Sequence, residues 1–155
     1  MAELLADIEQ LALVRALKAS FVAYPVVNAL HIISIGALLT SVLLMDLRIV
    51  GGLRSLPRAA FVALLRRTAF VAFGGALLTG LLLFSVRAGE YAAMPVFLVK
   101  IALILLAGLN LLAFELLSRR TGGDEPAAGA ATVLAILSML LWTSVLFAGR
   151  FIGFL

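Results

Sequence analysis

A single histidine, His31, stands in the stretch VVNALHIIS, inside a long apolar run. An imidazole in such a place can do three kinds of chemistry. It can ligate a haem or a metal through one ring nitrogen while an acceptor holds the other. It can carry a proton near neutrality. It can also hydrogen-bond to a neighbouring helix, a packing contact worth about 1 kcal/mol. Its companions give it context. Tyr24, Asn28, His31, Ser34 and Ser41 are spaced four, three, three and seven apart. At about 100° per residue they form one broad stripe, which Met45 continues, while Gly36 and Thr40 fall elsewhere. The stripe predicts a polar face turned into a bundle, with His31 about 15 Å along its helix and near the midplane. Tyr24 and Asn28 then read as the groups that orient the imidazole, with Lys100 or Arg150 as a charge partner.

Further polar residues sit in apolar surroundings, where lipid offers them no partner. Asp46 and Arg48 close the first run in MDLRIVGG, as a gate or an interfacial clamp. Two residues apart, they do not face each other on a helix, and a helix C-terminus disfavours the Asp46 anion. Asp46 therefore calls for a cation from elsewhere, with Arg66 and Arg67 as candidates. Lys100 in VFLVKIALILLAGLN reads as an anion partner or as a side chain snorkelling to the headgroups. Asn110, ten residues on, reads as an interhelix hydrogen bond. In AFGGALLTG, Gly75 and Thr79, and Ala76 and Gly80, are four apart, a spacing that lets helices approach closely. Trp142 lies too deep for an interfacial belt and reads as core packing.

The inventory excludes much. With one histidine and no cysteine, disulfides, thiolate metal sites and iron–sulfur clusters are ruled out, and most hydrolytic chemistry lacks a general base. No glycine-rich phosphate loop and no carboxylate pair stands at a useful spacing, so an enzyme is not expected. One histidine cannot provide two axial haem ligands. A paired-histidine haem needs a homodimer or a partner, whereas a histidine–methionine haem would draw on Met45, Met94 or Met139.

The elements that must position these groups follow from composition. The 155-residue chain is 65% hydrophobic and 13% charged, and its mean hydropathy is +1.23. Soluble domains have about 45–50% apolar and about 25% charged residues, so this is a membrane chain, short enough to be one domain. Crossing a bilayer takes about 20 apolar residues as a helix, and four segments suffice, at about 20–46, 60–86, 93–117 and 127–150. Before them, residues 1–18 predict a short interfacial amphipathic helix. Leu4, Leu5, Ile8, Leu11 and Ala12 share one face, opposite Glu3, Asp7 and Gln10. The acidic Glu3, Asp7 and Glu9 do not suit a cleaved signal peptide. Gly51, Gly52 and Pro57 mark a tight turn, and SRRTGGDEPAAGA an exposed loop.

The net charge of +4 arises from basic residues that flank the spans. They therefore point to lipid phosphates as partners, and nucleic acid is not expected. Arg48, Arg54, Arg58, Arg66, Arg67, Arg119 and Arg120 fall on one side; Arg15, Lys18, Arg87 and Arg150 fall on the other. The positive-inside rule places the richer side in the cytoplasm and both termini outside.

The segment ASFVAYPVVNALHIISIGALLTSVLLMDLRIVGG resembles the opening of the DUF6644 family of bacterial four-span membrane proteins. Tyr24, Pro25, His31, Asp46, Leu47, Arg48 and Gly51 carry the likeness. LLTGLLLFS and VFLVKIALILLAGLN, with Lys100 and Asn110, resemble the family's second and third segments, and AGRFIGF, with Gly149 and Arg150, its ending. The shape is also similar to four-helix membrane cytochromes and copper-resistance membrane proteins. The resemblance implies an all-α, four-span bundle in a bacterial inner membrane, as a homo-oligomer or beside a membrane or periplasmic partner. Relatives place a histidine just after the aromatic of span three; here Phe114 is followed by Glu115, so that haem partner is missing from this chain. The leading expectation is a haem- or metal-handling electron-transfer protein centred on His31, with haem b as the cofactor. Two others stand beside it: a structural or assembly subunit in which His31 only packs, and a small ion or proton transporter using His31 and Asp46.

Overall fold

The computed structural model describes residues 2–53, 55, 57–120 and 128–154. Most of the expected loop between spans three and four, and Arg54 in the first loop, lie outside the described residues. All regular structure among the described residues is helical. In chain order the helices are α1 (Ala2–Gln10), α2 (Ala12–Ala19), α3 (Ala23–Ile49), α4 (Arg58–Val86), α5 (Ala88–Ala93), α6 (Pro95–Arg120) and α7 (Ala128–Ile152). The four long helices α3, α4, α6 and α7 are each long and apolar enough to cross a membrane. They pack as an all-α four-helix bundle. The chain is a multi-pass membrane protein, because leucines such as Leu78, Leu105 and Leu109 cover the outside of the helices while the polar atoms turn inward.

Local chemistry sets the helix limits. The Ser20 hydroxyl accepts from the backbone N–H groups of Val22 at 3.3 Å and Ala23 at 3.0 Å, which caps α3. At the other end Gly51 has φ 105°, and Gly52 N–H reaches back to the Leu47 carbonyl at 2.9 Å. This closure needs a residue free to adopt the left-handed region, hence the glycine. Pro57 immediately precedes α4, and Pro95 opens α6, where a missing N–H goes unneeded.

α3 is the central helix. It packs against α4 and α7, and α7 packs against α6. Leu38 and Val42 of α3 form the core with Ala69 and Ala72 of α4, and Trp142 of α7 covers it. Trp142 also meets the Phe73 ring edge-on, at 6.4 Å between centroids. Ala107, Ala131 and Ala135 are almost fully buried, which brings the α6 and α7 backbones close. α4 and α6 do not approach by backbone; Phe84 stacks on Phe97 across the space between them, at 5.3 Å.

The N-terminal segment departs from one amphipathic helix. It breaks at Leu11, whose ψ of 137° is extended, giving two helices. Val14 and Leu17 of α2 pack on Val86 of α4. Glu9 of α1 accepts from the Gly89 N–H at 2.9 Å and so caps α5. The protein takes Leu5, Ile8, Val14 and Leu17 inward, and leaves Leu4 and Leu11 exposed. Contacts with α4 and α5, which no helical periodicity encodes, chose the buried face.

The α3–α4 interface depends on small residues. A Cβ on Gly75 would stand 2.7 Å from Ser34 Oγ but an ordinary 3.5 Å from Ser34 Cβ. Gly75→Ala should therefore destabilise the bundle by about 1 kcal/mol, and Ser34→Ala in the same chain should return most of that loss. Thermal unfolding of the two variants in one detergent checks this; equal losses in both would contradict the interface.

Candidate functional site

His31 lies about 12 Å along α3 from its first residue, at 1.5 Å per residue, and it is half-buried. Its Nδ1 is 2.9 Å from Oγ1 of Thr79 on α4. Thr79 Oγ1 is in turn 2.6 Å from the Gly75 carbonyl and 3.4 Å from that of Ala76. These distances fix the protons. Two oxygens at 2.6 Å need a hydrogen between them, and the carbonyl has none to give. The Thr79 hydroxyl therefore donates to Gly75 and can only accept from His31. The network thus assigns the proton to Nδ1, and in the neutral ring Nε2 keeps its lone pair. Gly80 makes room for the ring, since a Cβ there would stand 3.0 Å from His31 Cε1.

Lys100 of α6 lies within electrostatic reach of His31, which itself sits between α3 and α4. The Lys100 ammonium lies over Gly149 of α7, where a Cβ would come within 3.4 Å of Nζ. The lysine is half-buried, with its stem along α7. Arg150 is exposed and its guanidinium lies 4.4 Å from the centre of the Phe154 ring.

Tyr24 and Asn28 differ from the expected placement. Both are exposed, and His31 is held by Thr79. The stripe on α3 turns inward only from His31 onward. Ser34 faces Gly75, Ser41 is buried, Met45 packs on the core and Asp46 is buried. Tyr24 interacts with Tyr91 of α5, near the stack that Tyr91 forms with Phe84 and Phe97. Sequence reasoning noted Thr79 only for its spacing from Gly75. Its hydroxyl, the polar group of AFGGALLTG, was the signal for a partner to His31.

Asp46 and Arg48 do not pair with each other. The Asp46 carboxylate accepts a hydrogen bond from Ser138 of α7, and Oδ2 has no hydrogen-bond partner. Arg66 and Arg67, the expected cations, are exposed. Arg48 is half-buried with its Nε unpartnered. Asn110 donates to the Leu134 carbonyl at 3.0 Å and joins α6 to α7, as its place in the apolar run suggested. Its Oδ1 has no partner.

As to what the site could hold, among the described residues no three histidine, aspartate or glutamate side chains stand close enough to bind a metal ion. A bare ion would find one nitrogen. A haem brings four nitrogens of its own and asks the protein only for axial ligands, which suits a lone imidazole with an unprotonated Nε2. Comparison of the chain with protein-family models, curated proteins and solved structures finds no match.

Tyr91 lies outside the spans. Its phenol is pushed above the ordinary tyrosine range, first by burial, then by Tyr24, with Arg87 opposing and Glu90 adding. Raising the folded-state pKa of an acid favours the protonated form in the fold. Its contribution is present below about pH 10 and is lost as pH rises through the tyrosine range. Melting temperature should therefore fall less steeply above about pH 10 in Tyr91→Phe than in the parent; superimposable pH profiles would contradict this.

Proposed function

We propose that this protein is a haem-binding electron-transfer subunit of a bacterial inner membrane, in which His31 would hold the haem through Nε2. The observation that carries the reading is the relay from His31 Nδ1 through Thr79 to the Gly75 carbonyl. A relay of this kind holds a ligand ring in one tautomer and one orientation and makes it more basic. Lys100, close by, provides a positive charge suited to a carboxylate on the bound group. A bound haem would supply the one-electron couple; His31 would hold it, and Thr79 would fix the orientation and basicity of the imidazole. The chain has no other histidine, so a second protein ligand would be a histidine of another copy or a partner, or one of the methionines Met45, Met94 and Met139. The resemblance to the DUF6644 family adds the four-span architecture, and the similarity in shape to four-helix membrane cytochromes agrees with this reading. So does the basic side of the chain, which would face the cytoplasm and leave both termini outside.

One observation favours a structural subunit instead. His31, Asp46 and Asn110 all use their described partners to join one helix to another. The visible spectrum separates the two readings. Protein purified in mild detergent from haem-replete cells should show a Soret band that shifts on reduction. His31→Ala should lose it while keeping its helical content, and Thr79→Val should retain haem with a lower affinity, by about 10-fold or more. A colourless, fully folded parent protein would overturn the haem reading and leave the structural one.

A further inference from the structure

Two open grooves run along the outside of the bundle, and they differ in charge. One, of about 410 Å³, lies between α6 and α7 and is lined by apolar residues such as Val99, Leu103 and Phe147, with Ser144. No charged side chain lines it. The other, of about 550 Å³, lies between α3 and α4. Its floor is made of the small Ser34, Ala37, Ala72 and Gly75, and Leu64 and Val71 form part of its wall. Arg67 also lines it, the one charged side chain to do so.

The place of Arg67 is unusual. It is seven residues inside the apolar stretch Ala60–Val86, or about 10 Å at 1.5 Å per residue. Among the described residues no carboxylate stands within ion-pair distance of it. Side chains on a helix lean toward its N-terminus, so the guanidinium leans toward the membrane face where α4 begins. Arg48 and Arg66 belong to the same end of the bundle. With no carboxylate among the described residues in reach, the guanidinium suits an anion at headgroup depth, and the groove beyond it suits something apolar and narrow. A phospholipid with a net negative headgroup has both parts, joined in that order.

We propose that the α3–α4 groove is a binding site for one anionic phospholipid. The phosphate and headgroup take the Arg67 guanidinium, and an acyl chain lies along Ala72, Ala37 and Gly75. A guanidinium can hold two phosphate oxygens at once, which fixes the lipid's depth and orientation. The small floor residues let the chain lie close to both helix backbones, beside the Ser34–Gly75 contact. This proposal is independent of whether His31 binds haem.

Native mass spectrometry of the full-length protein, released from micelles that contain phosphatidylglycerol or phosphatidylcholine, tests it. The parent protein should retain one phosphatidylglycerol per chain under conditions that strip phosphatidylcholine. Arg67→Gln should lower that retention roughly five-fold, the scale of one basic residue at an anionic surface. Val71→Trp blocks the groove from its exposed wall, away from the core, and should abolish retention, whereas Val99→Trp in the uncharged groove should not. Equal retention of the two lipids by the parent would overturn the proposal, as would unchanged retention in Arg67→Gln and Val71→Trp. A dimer that excludes lipid and falls apart in Val71→Trp would overturn it too, and would assign the groove to a second copy.

Discussion

Inside a bilayer a polar atom has no water to fall back on, so its partner must come from another part of the protein. In this chain that constraint settles on a few side chains. His31 meets Thr79 between α3 and α4, Asp46 meets Ser138 between α3 and α7, and Asn110 meets the Leu134 carbonyl between α6 and α7. Each pair of packed long helices thus has a polar contact across it. Apolar burial alone cannot select these pairings in lipid, because the acyl chains are as apolar as the leucines that face them.

The small residues follow from the same requirement. Thr79 reaches His31 only because Gly80 leaves space for the ring and Gly75 lets α3 come close. The Gly75 carbonyl is also the acceptor that takes the Thr79 hydroxyl proton. Close packing and proton placement are thus one arrangement, and it leaves Nε2 of the only histidine as an acceptor. The proposed haem ligand rests on that, with Lys100 nearby as the positive charge. Between α4 and α6, which do not meet by backbone, aromatic rings fill the space instead.

The surface completes the account. α1 and α2 lie as a broken strap across the end of the bundle, held by Glu9 on Gly89 and by Val14 and Leu17 on Val86. The opposite end is basic and bears the α3–α4 groove, whose lining includes Arg67. These two ends have different chemistry. One is closed by the protein's own helices, and the other offers guanidinium groups to phosphate.

The four long apolar helices and their packing class were legible in the amino-acid order, because run length and apolar composition are local properties. The turn at Gly51 and Gly52 and the role of Asn110 were legible for the same reason. The stripe from His31 to Asp46 was legible as a face, since 3.6-residue periodicity places side chains on one side of a helix. What that face meets was not. Whether Tyr24 and Asn28 or Thr79 holds His31, whether Arg66, Arg67 or Ser138 faces Asp46, and which side of α1 and α2 is buried all depend on how separate helices are rotated and offset against one another. Only the tertiary structure decides this, because partners 48 residues apart, such as His31 and Thr79, leave no periodic trace in the chain.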